Sequence, residues 1–282
     1  MADNSLLIIG CGDLGNRAGL LCTARGWRVD AVRRHPDGTP ADFRWHAADY
    51  AEAGSLAFAE ALAPDFVLAT FNPASRDVEG YRRGFADAAR NLLAGLGEHR
   101  ARRLLMVSST RVYAEADGGW VNEASELVHD DPSALAIIEA ERTLLDSDQP
   151  TTVLRCGGVY GQPGGRLVAR VSQGRVAPER PVRYTNRIHR EDCAGFIDYL
   201  LRANLRGEPL APVYNVVDDD PAPAYEVEHW IADALGVGAT EIARPERGFA
   251  HKRCSNAQLR ASGYRLKYPD FRAGYGEMIA GN

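Results

Sequence analysis

The sequence predicts an α/β fold built on a doubly wound parallel sheet. Short apolar runs alternate along the chain with segments of helical periodicity, which is the pattern of successive βαβ units. A glycine-rich motif separates the first apolar run from the first helical segment. The alternation becomes less regular after residue 155. We therefore predict a sheet domain over residues 1–155 and a small C-terminal lobe over 156–282, partly interleaved with the sheet.

The predicted strands are short apolar runs that end at turn-forming residues. Residues 6–9 have the length and composition of a buried strand, and Asn72-Pro73 turns the chain after the fourth run. In chain order, the pattern predicts strands over residues 6–9, 27–33, 43–47, 65–70, 103–107 and 151–155, and a further short strand over 213–216 in the C-terminal lobe.

The predicted helices carry apolar residues at helical spacing and end at glycine or proline. Gly26 closes the first helix, and Ala63-Pro64 stops the second. The polar stretch over residues 114–130 is predicted as a loop. In chain order, the pattern predicts helices over 14–26, 52–62, 78–96, 133–145, 191–202 and 225–235, followed by short helices within 256–282.

Composition and charge exclude several classes of protein. Hydrophobic residues make up 45% of the chain and charged residues 25%, as in ordinary soluble globular proteins. The formal net charge is −5 and no run of basic residues occurs, so nucleic acid is not an expected partner. No apolar run approaches the roughly 20 residues of a membrane span, and no basic segment precedes the first apolar run. We expect a cytoplasmic protein without a membrane partner.

The glycine-rich motif reads GCGDLG over residues 10–15, directly after a predicted strand and at the start of a predicted helix. In this context the first glycine permits a tight turn, the second lets a pyrophosphate approach the backbone, and the third lets helix and strand pack closely. The free N–H groups of the helix N-terminus favour phosphate. We predict a Rossmann-type dinucleotide site that includes Gly10, Gly12, Asp13, Leu14 and Gly15. A purely structural turn is the alternative.

The five cysteines are scattered, odd in number and without CxxC spacing. This pattern predicts reduced thiols rather than a disulfide framework, and it predicts no metal site. Cys11 lies inside the glycine motif. It is either a small residue that fits the turn or a redox-sensitive thiol activated by the helix N-terminus.

The end of the second predicted strand bears on the choice of nucleotide. An NAD site places an acidic residue there to bind the ribose hydroxyls, whereas this strand ends at Arg33 and Arg34. Arginine suits a 2′-phosphate through its charge and its planar fork of donors, so NADP is the favoured cofactor and NAD the alternative. A solvated turn would also explain the two arginines. Asp49, after the third strand, is a candidate for binding the adenine amino group.

Four further segments resemble a known family when taken in order along the chain. They read VSSTRVY over residues 107–113, LRCGGVYG over 154–161, NRIHRED over 186–192 and VYNVVD over 213–218. Together with the ending over 255–264, they resemble the extended short-chain dehydrogenase/reductases, the NAD-dependent epimerase/dehydratase-like family. The spacing of the glycine motif resembles the atypical subgroup of that family.

The resemblance implies a Tyr-x-x-x-Lys pair for acid/base chemistry on the helix after the fifth strand, and this chain departs from that pattern. With Glu141 placed on the family's helix glutamate, Ser133 stands at the tyrosine position and Ile137 at the lysine position. No other register supplies the pair, because the first lysine of the chain is Lys252. We expect Glu139 and Glu141 to be solvated helix charges.

Other polar residues are therefore the candidates for catalysis. Ser109 matches the family's strand-end hydroxyl, Thr110 is its neighbour, Tyr113 could reach a cleft, and the pKa of an ordinary histidine would suit His189 for acid/base work. Structural roles are equally open for each: strand-end hydrogen bonds for the two hydroxyls, packing for the tyrosine and a backbone bond for the histidine.

The resemblance also extends the set of cofactor-binding candidates beyond the glycine motif. The added residues are Thr70, Ser108 and Tyr160, which follow or end predicted strands.

Two classes of function follow from these observations. The first is an NADP-dependent oxidoreductase or epimerase-like enzyme with a rebuilt active site and a small-molecule substrate that the sequence does not identify. The second is a non-catalytic NADP(H)-binding sensor or regulatory protein, which the missing pair favours. Members of the family commonly pair through the two long helices after the fourth and fifth strands, which correspond here to residues from about 78 to 96 and from about 133 to 147. The chain is therefore expected to be a monomer or a homodimer.

Overall fold

The computed structural model describes residues 4–242 and 251–280 of the chain. Their contacts divide the chain into two compact units. The first unit comprises Met1–Val112, Leu127–Arg155 and Ala194–Tyr214, and the second comprises Tyr113–Glu126, Cys156–Cys193 and Asn215–Asn282. None of the described helices is both long enough and apolar enough to cross a membrane.

The first unit is built on a seven-stranded parallel sheet with strand order β11-β7-β5-β4-β1-β2-β3. The chain winds from β1 outward through β2 and β3, then returns to β4 on the other side of β1, which makes the sheet doubly wound. The predicted fold class is confirmed. The seven strands are β1 (Ser5–Ile9), β2 (Arg28–Arg33), β3 (Arg44–Ala47), β4 (Phe66–Ala69), β5 (Arg103–Ser109), β7 (Thr151–Cys156) and β11 (Val213–Val216).

The remaining strands form three two-stranded parallel sheets in the second unit. Among them, β6 lies inside the stretch predicted as loop over residues 114–130, so that prediction was wrong at this point. The pairs are β6 (Trp120–Val121) with β13 (Arg253–Cys254), β8 (Gly158–Tyr160) with β10 (Arg187–His189), and β9 (Arg175–Val176) with β12 (Thr240–Glu241).

The helices flank these sheets. A π-helical turn over Arg82–Asp87 joins the third and fourth helices into the one long segment that the sequence predicts. The helices are α1 (Asp13–Thr23), α2 (Ala59–Leu62), α3 (Val78–Tyr81), α4 (Ala88–Leu96), α5 (Pro132–Leu145), α6 (Arg166–Val171), α7 (Arg190–Leu205), α8 (Ala224–Leu235), α9 (Ala257–Ala261) and α10 (Phe271–Ala280).

Helix α2 is much shorter than the helix predicted over residues 52–62. Gly54 has a φ of 75°, which a helix does not contain. Turn hydrogen bonds from the N–H of Ser55 to the Glu52 carbonyl and from Ala57 to Gly54 replace helical ones. The apolar residues of this segment therefore belong to a series of turns and not to a helix. The prediction of a helix was wrong for residues 52–58.

The core of the first unit lies along the central strands. All five residues of β1 and all four of β4 are buried, because helices cover both faces of a parallel sheet. Helix α5 begins where Asp131 caps it, accepting hydrogen bonds from the N–H groups of Ser133 (3.0 Å) and Ala134 (3.4 Å), and Pro132 occupies its first position. These signals fix where α5 begins.

A buried ion pair ties α5 to the sheet. Glu141 and Arg155 are 1% and 4% exposed, and Arg155 Nη2 donates to Glu141 Oε2 at 2.7 Å. The hydroxyl of Ser108, at the end of β5, donates to the other carboxylate oxygen of Glu141. Glu141 is thus not the solvated charge that the sequence predicts, and its carboxylate joins α5, β5 and β7.

Replacing Glu141 with alanine should destabilise the protein by about 3–5 kcal/mol, because it leaves the Arg155 guanidinium buried without its counter-charge. Chemical denaturation monitored by circular dichroism measures this. Glu139 provides a matched control two residues away on the same helix, because its ion pair with Arg90 is half exposed. Glu139→Ala should cost less than about 1 kcal/mol. Equal costs for the two variants would contradict a stabilising role for the buried pair.

Candidate functional site

The glycine motif forms a tight loop between β1 and α1 in the first unit. Gly10 has a φ of 78°, a backbone conformation that residues with a side chain rarely adopt. The N–H groups of Gly10 and Cys11 both donate to the carbonyl of Val32, at 3.0 and 2.9 Å. The loop is thereby anchored to the end of β2, the strand beside β1.

The three glycines of the motif meet different surroundings. A Cβ on Gly10 would lie 2.8 Å from the Thr70 carbonyl oxygen, and one on Gly15 would lie 3.0 Å from the Ile8 side chain. A Cβ on Gly12 would meet only the Gly10 carbonyl oxygen, at 3.9 Å. Gly10 and Gly15 are therefore required by the protein's own packing, whereas Gly12 leaves space over the backbone that a ligand can approach.

The N-terminus of α1 lies at this loop. Gly12 occupies the cap position, and no side chain of the described residues caps the helix there. The first backbone N–H groups of α1, which follow Gly12, thus have the arrangement that binds phosphate oxygens. Asp13 is directed along the helix toward Arg17, whose Nε lies 3.2 Å from its carboxylate. The side chain of Asp13 is therefore engaged within α1.

Thr70 and Tyr50 contact the glycine loop at Gly10. The Thr70 hydroxyl donates to the carbonyl oxygens of Gly10 (2.8 Å) and Ile9 (3.2 Å). The ring of Tyr50 would lie 3.1 Å from a Cβ on Gly10, and its hydroxyl accepts a hydrogen bond from the N–H of Asn72 at 3.1 Å. Thr70 belongs to the predicted set of cofactor-binding residues, and its hydroxyl positions the loop. The contribution of Tyr50 was missed, because only the fold brings it beside Gly10.

Ser108 and Asp49 are engaged in contacts of the protein itself. Ser108 is buried against Glu141, as described above. The Asp49 carboxylate accepts from the N–H of Ala51 at 3.1 Å and so forms a local turn while remaining half exposed.

The two arginines at the end of β2 differ in their contacts. Arg33 donates to the carbonyl of His35 at 2.9 Å, pairs with Asp37 at 3.2 Å and lies over the Trp45 ring. Arg34 is exposed and has no ion pair within residues 4–242 and 251–280. Burial raises the pKa of the Tyr50 hydroxyl, and the nearby positive charge of Arg34 lowers it.

Cys11 has the properties of a structural thiol. Its side chain is 2% exposed and donates to Asn16 Oδ1 at 3.1 Å. Burial raises the pKa of Cys11 to about 12, against the smaller lowering effect of the Arg33 charge. Because the thiolate is the reactive form, these surroundings favour the interpretation of Cys11 as a small residue that fits the turn.

The candidates Ser109 and Thr110 lie at the end of β5. The Ser109 hydroxyl is half buried and accepts from the N–H of Arg111 at 3.2 Å. Thr110 is buried and begins a 3₁₀ turn over Thr110–Val112. Of the two, Ser109 keeps the more accessible hydroxyl, which retains a proton to donate while its oxygen accepts from the backbone.

Tyr113 belongs to the second unit and is buried there. Its hydroxyl donates to Asn215 Oδ1 at 2.6 Å, and its backbone carbonyl accepts from Lys252 Nζ, also at 2.6 Å. Burial lowers the pKa of the Lys252 ammonium, which is only 3% exposed. A tyrosine and a lysine thus lie close together in space, but the lysine contacts the tyrosine backbone and not its hydroxyl.

His189 and Tyr160 lie side by side on the paired strands β10 and β8 of the second unit. Their ring centroids are 5.2 Å apart, and Nδ1 of His189 accepts from the N–H of Glu191 at 3.3 Å. Burial lowers the pKa of His189, so the neutral imidazole predominates at pH 7. The Tyr160 hydroxyl is buried without a hydrogen-bond partner among the described residues.

A buried carboxylate completes this polar cluster. Asp218 is 2% exposed, and its Oδ2 lies 4.0 Å from Arg187 Nη1, too far for a hydrogen bond. Burial raises the pKa of Asp218 to about 8, against the lowering effect of Arg187. No cluster of potential metal ligands occurs in the part of the chain that the structure describes, 4–242 and 251–280.

Comparison with known proteins adds to this geometry. The family model for NAD(P)H-binding proteins matches residues 10–204, beginning at the glycine loop. The chain belongs to this family. Protein YeeZ of Escherichia coli K12 is 28% identical over 228 residues, which are 77% of each chain.

Solved structures agree with the assignment. A provisionally assigned NAD-dependent epimerase/dehydratase of Methylobacillus flagellatus is 32% identical, with a TM-score of 0.82 over 99% of this chain and 98% of its own. A short-chain dehydrogenase/reductase superfamily protein of Agrobacterium tumefaciens, solved with bound NAD, is 18% identical. Its TM-score of 0.81 over 98% of this chain and 96% of its own shows the shared fold. The resemblance to the epimerase/dehydratase-like proteins is confirmed.

The raised pKa of Asp218 predicts that stability falls as pH rises. The folded state holds the carboxyl proton up to about pH 8, whereas the unfolded chain releases it near pH 4. Between these values the folded state binds more protons than the unfolded chain, so a rise in pH favours the unfolded chain and lowers the free energy of unfolding. Asp218→Asn mimics the neutral acid. We expect the urea midpoint of the variant to increase relative to that of the wild type as the pH is raised from about 5 to about 8.5. A difference between the two proteins that does not change with pH would contradict the raised pKa.

Proposed function

We propose that this protein binds NADP(H) at the glycine loop and uses it as an oxidoreductase or epimerase-like enzyme of the short-chain dehydrogenase/reductase family. The observation that carries the proposal is the open space over Gly12 beside the uncapped N-terminus of α1. A pyrophosphate there would accept hydrogen bonds from the helix N–H groups and lie against the partial positive charge of the helix.

The preference for NADP over NAD rests on Arg34. Arg33 is already engaged with Asp37, His35 and Trp45, whereas Arg34 is exposed at the end of β2. A 2′-phosphate gains a charge-assisted hydrogen bond from a guanidinium, and the 2′-hydroxyl of NAD gains much less. Arg34 would therefore bind the phosphate, and Arg33 would hold the strand end and its turn in place.

Titration with NADPH and NADH tests this assignment. Arg34→Ala should weaken NADPH binding about tenfold or more while leaving NADH binding within about twofold, because only NADPH carries the contacted phosphate. Arg33→Ala is the matched control and should change NADPH affinity less. If the wild type bound NADH more tightly than NADPH, or if Arg34→Ala weakened both cofactors equally, the NADP assignment would be wrong.

The reaction would be hydride transfer between the nicotinamide and a small-molecule carbonyl or sugar-like substrate, in the cytoplasm. NADP supplies the hydride chemistry when it is bound. Ser109 is the residue we propose to orient the substrate oxygen, because its hydroxyl is the more accessible one at the end of β5. Tyr113 and Thr110 are weaker candidates, since both are buried. His189 would be a base rather than an acid at pH 7.

A non-catalytic NADP(H) sensor is the second candidate. Two residue identities on α5 favour it. Ser133 and Ile137, which stand at the family's tyrosine and lysine positions, are 8% and 2% exposed. Neither side chain has a group whose pKa suits proton transfer. This class of function needs tight cofactor binding and no turnover.

Cofactor consumption distinguishes the two candidates. The enzyme should oxidise NADPH in the presence of some member of a panel of aldehydes, ketones and nucleotide sugars, and Ser109→Ala should reduce kcat at least about tenfold with NADPH affinity unchanged. Ala114→Ser, five residues further along the chain, adds a hydroxyl at a different position and should leave kcat at the wild-type value. Tight NADPH binding with no turnover across the whole panel would instead support the sensor.

A further inference from the structure

Two cysteines of the second unit lie in contact. The Sγ atoms of Cys156 and Cys193 are 3.7 Å apart, although 37 residues separate them in the sequence. Both side chains are buried, with 4% and 0% exposure, and both are free thiols. A disulfide requires an S–S separation of about 2.05 Å, so closing the pair needs a movement of roughly 1.6 Å.

The two cysteines stand at the two ends of one continuous segment of the second unit. The chain enters the second unit between Arg155 and Cys156, and it leaves this segment between Cys193 and Ala194. The two thiols therefore stand at the first and last residues of the segment Cys156–Cys193. This segment carries Tyr160 and His189, the two candidate residues on the paired strands β8 and β10.

The surroundings of the pair make its oxidation slow, and the 3.7 Å contact between the two thiols is what distinguishes it from the other buried cysteines. A hydrogen bond shared with Cys193 and burial both raise the pKa of the Cys156 thiol, so little thiolate forms in the folded protein. Buried thiols with high pKa react slowly with general oxidants but also shield a disulfide from reduction once it has formed. By contrast, the Cys11 thiol faces the Asn16 side-chain oxygen rather than a second thiol.

We propose that Cys156 and Cys193 form an oxidative modification site, at which peroxide converts the two thiols into an intramolecular disulfide. Peroxide first oxidises one thiol to a sulfenic acid and releases one water. The second thiol then attacks that sulfur, an S–S bond forms and a second water leaves. In balance, two thiols and one hydrogen peroxide give one disulfide and two waters. The disulfide closes the segment Cys156–Cys193 into a covalent loop.

This modification would stabilise the second unit. A cross-link that closes a loop of this length lowers the conformational entropy of the unfolded chain. It would also hold the ends of the segment that carries Tyr160 and His189. The proposal is independent of cofactor binding, because the two thiols lie outside the glycine loop.

Mass spectrometry of the folded, fully reduced protein after treatment with hydrogen peroxide tests the proposal. The expected product is a monomer that has lost two hydrogen atoms, and digestion without reductant should give a peptide linking Cys156 to Cys193. Its melting temperature should rise by roughly 5 °C and return to the starting value with dithiothreitol. Cys22→Ala, which removes a buried cysteine of α1, should give the same cross-link as the wild type.

The variants Cys193→Ala and Cys156→Ala should give no such product and no rise in melting temperature. Either variant alone suffices, so a folding defect in one of them leaves the other as the test. The proposal would be overturned if folded wild type gained oxygen atoms without cross-linking, if the linked peptide joined other cysteines, or if cross-linking occurred only after unfolding in urea.

Discussion

The junction between β1 and α1 is the constraint on which the candidate site depends. The chain must leave a fully buried strand and enter a helix within three residues, and Gly10 achieves this only with a φ of 78°. Val32 and Thr70 hold the loop from the two neighbouring strands, through the N–H groups of Gly10 and Cys11 and the carbonyl of Gly10. Because one anchor lies on β2 and the other directly follows β4, contacts of the protein itself define the conformation of the loop.

Polar groups that are buried elsewhere serve the fold more than the chemistry. The pair of Glu141 and Arg155 fixes α5 against the sheet and engages Ser108, which the sequence placed in the cofactor site. In the second unit, Asn215 engages the Tyr113 hydroxyl, and Lys252 engages the Tyr113 carbonyl. Ser109, with its accessible hydroxyl, and Arg34, with its exposed charge, are therefore the residues that we propose to contact ligands.

Local sequence patterns predicted the parts of the fold that depend on local physics. The apolar runs of β1 and β4, the apolar spacing of α5 and the spacing of the glycine motif were each sufficient. The pattern failed at residues 52–58, where the φ of Gly54 breaks an apolar spacing that resembles a helix. It also gave no sign that Tyr50 lies beside Gly10 or that Glu141 meets Arg155, because such contacts arise only when distant strands are brought together.

The claim that Gly12 lies where the cofactor pyrophosphate binds is tested most directly by NADPH binding to Gly12→Ala. Gly12 has a φ of −99°, which any residue adopts, and its new methyl group would lie in open space in the unliganded protein. We expect an unchanged unfolding midpoint together with an NADPH affinity at least about tenfold weaker, measured by isothermal titration calorimetry, because the methyl group occupies the space that the pyrophosphate needs. NADPH binding of wild-type strength by the folded variant would contradict the assignment.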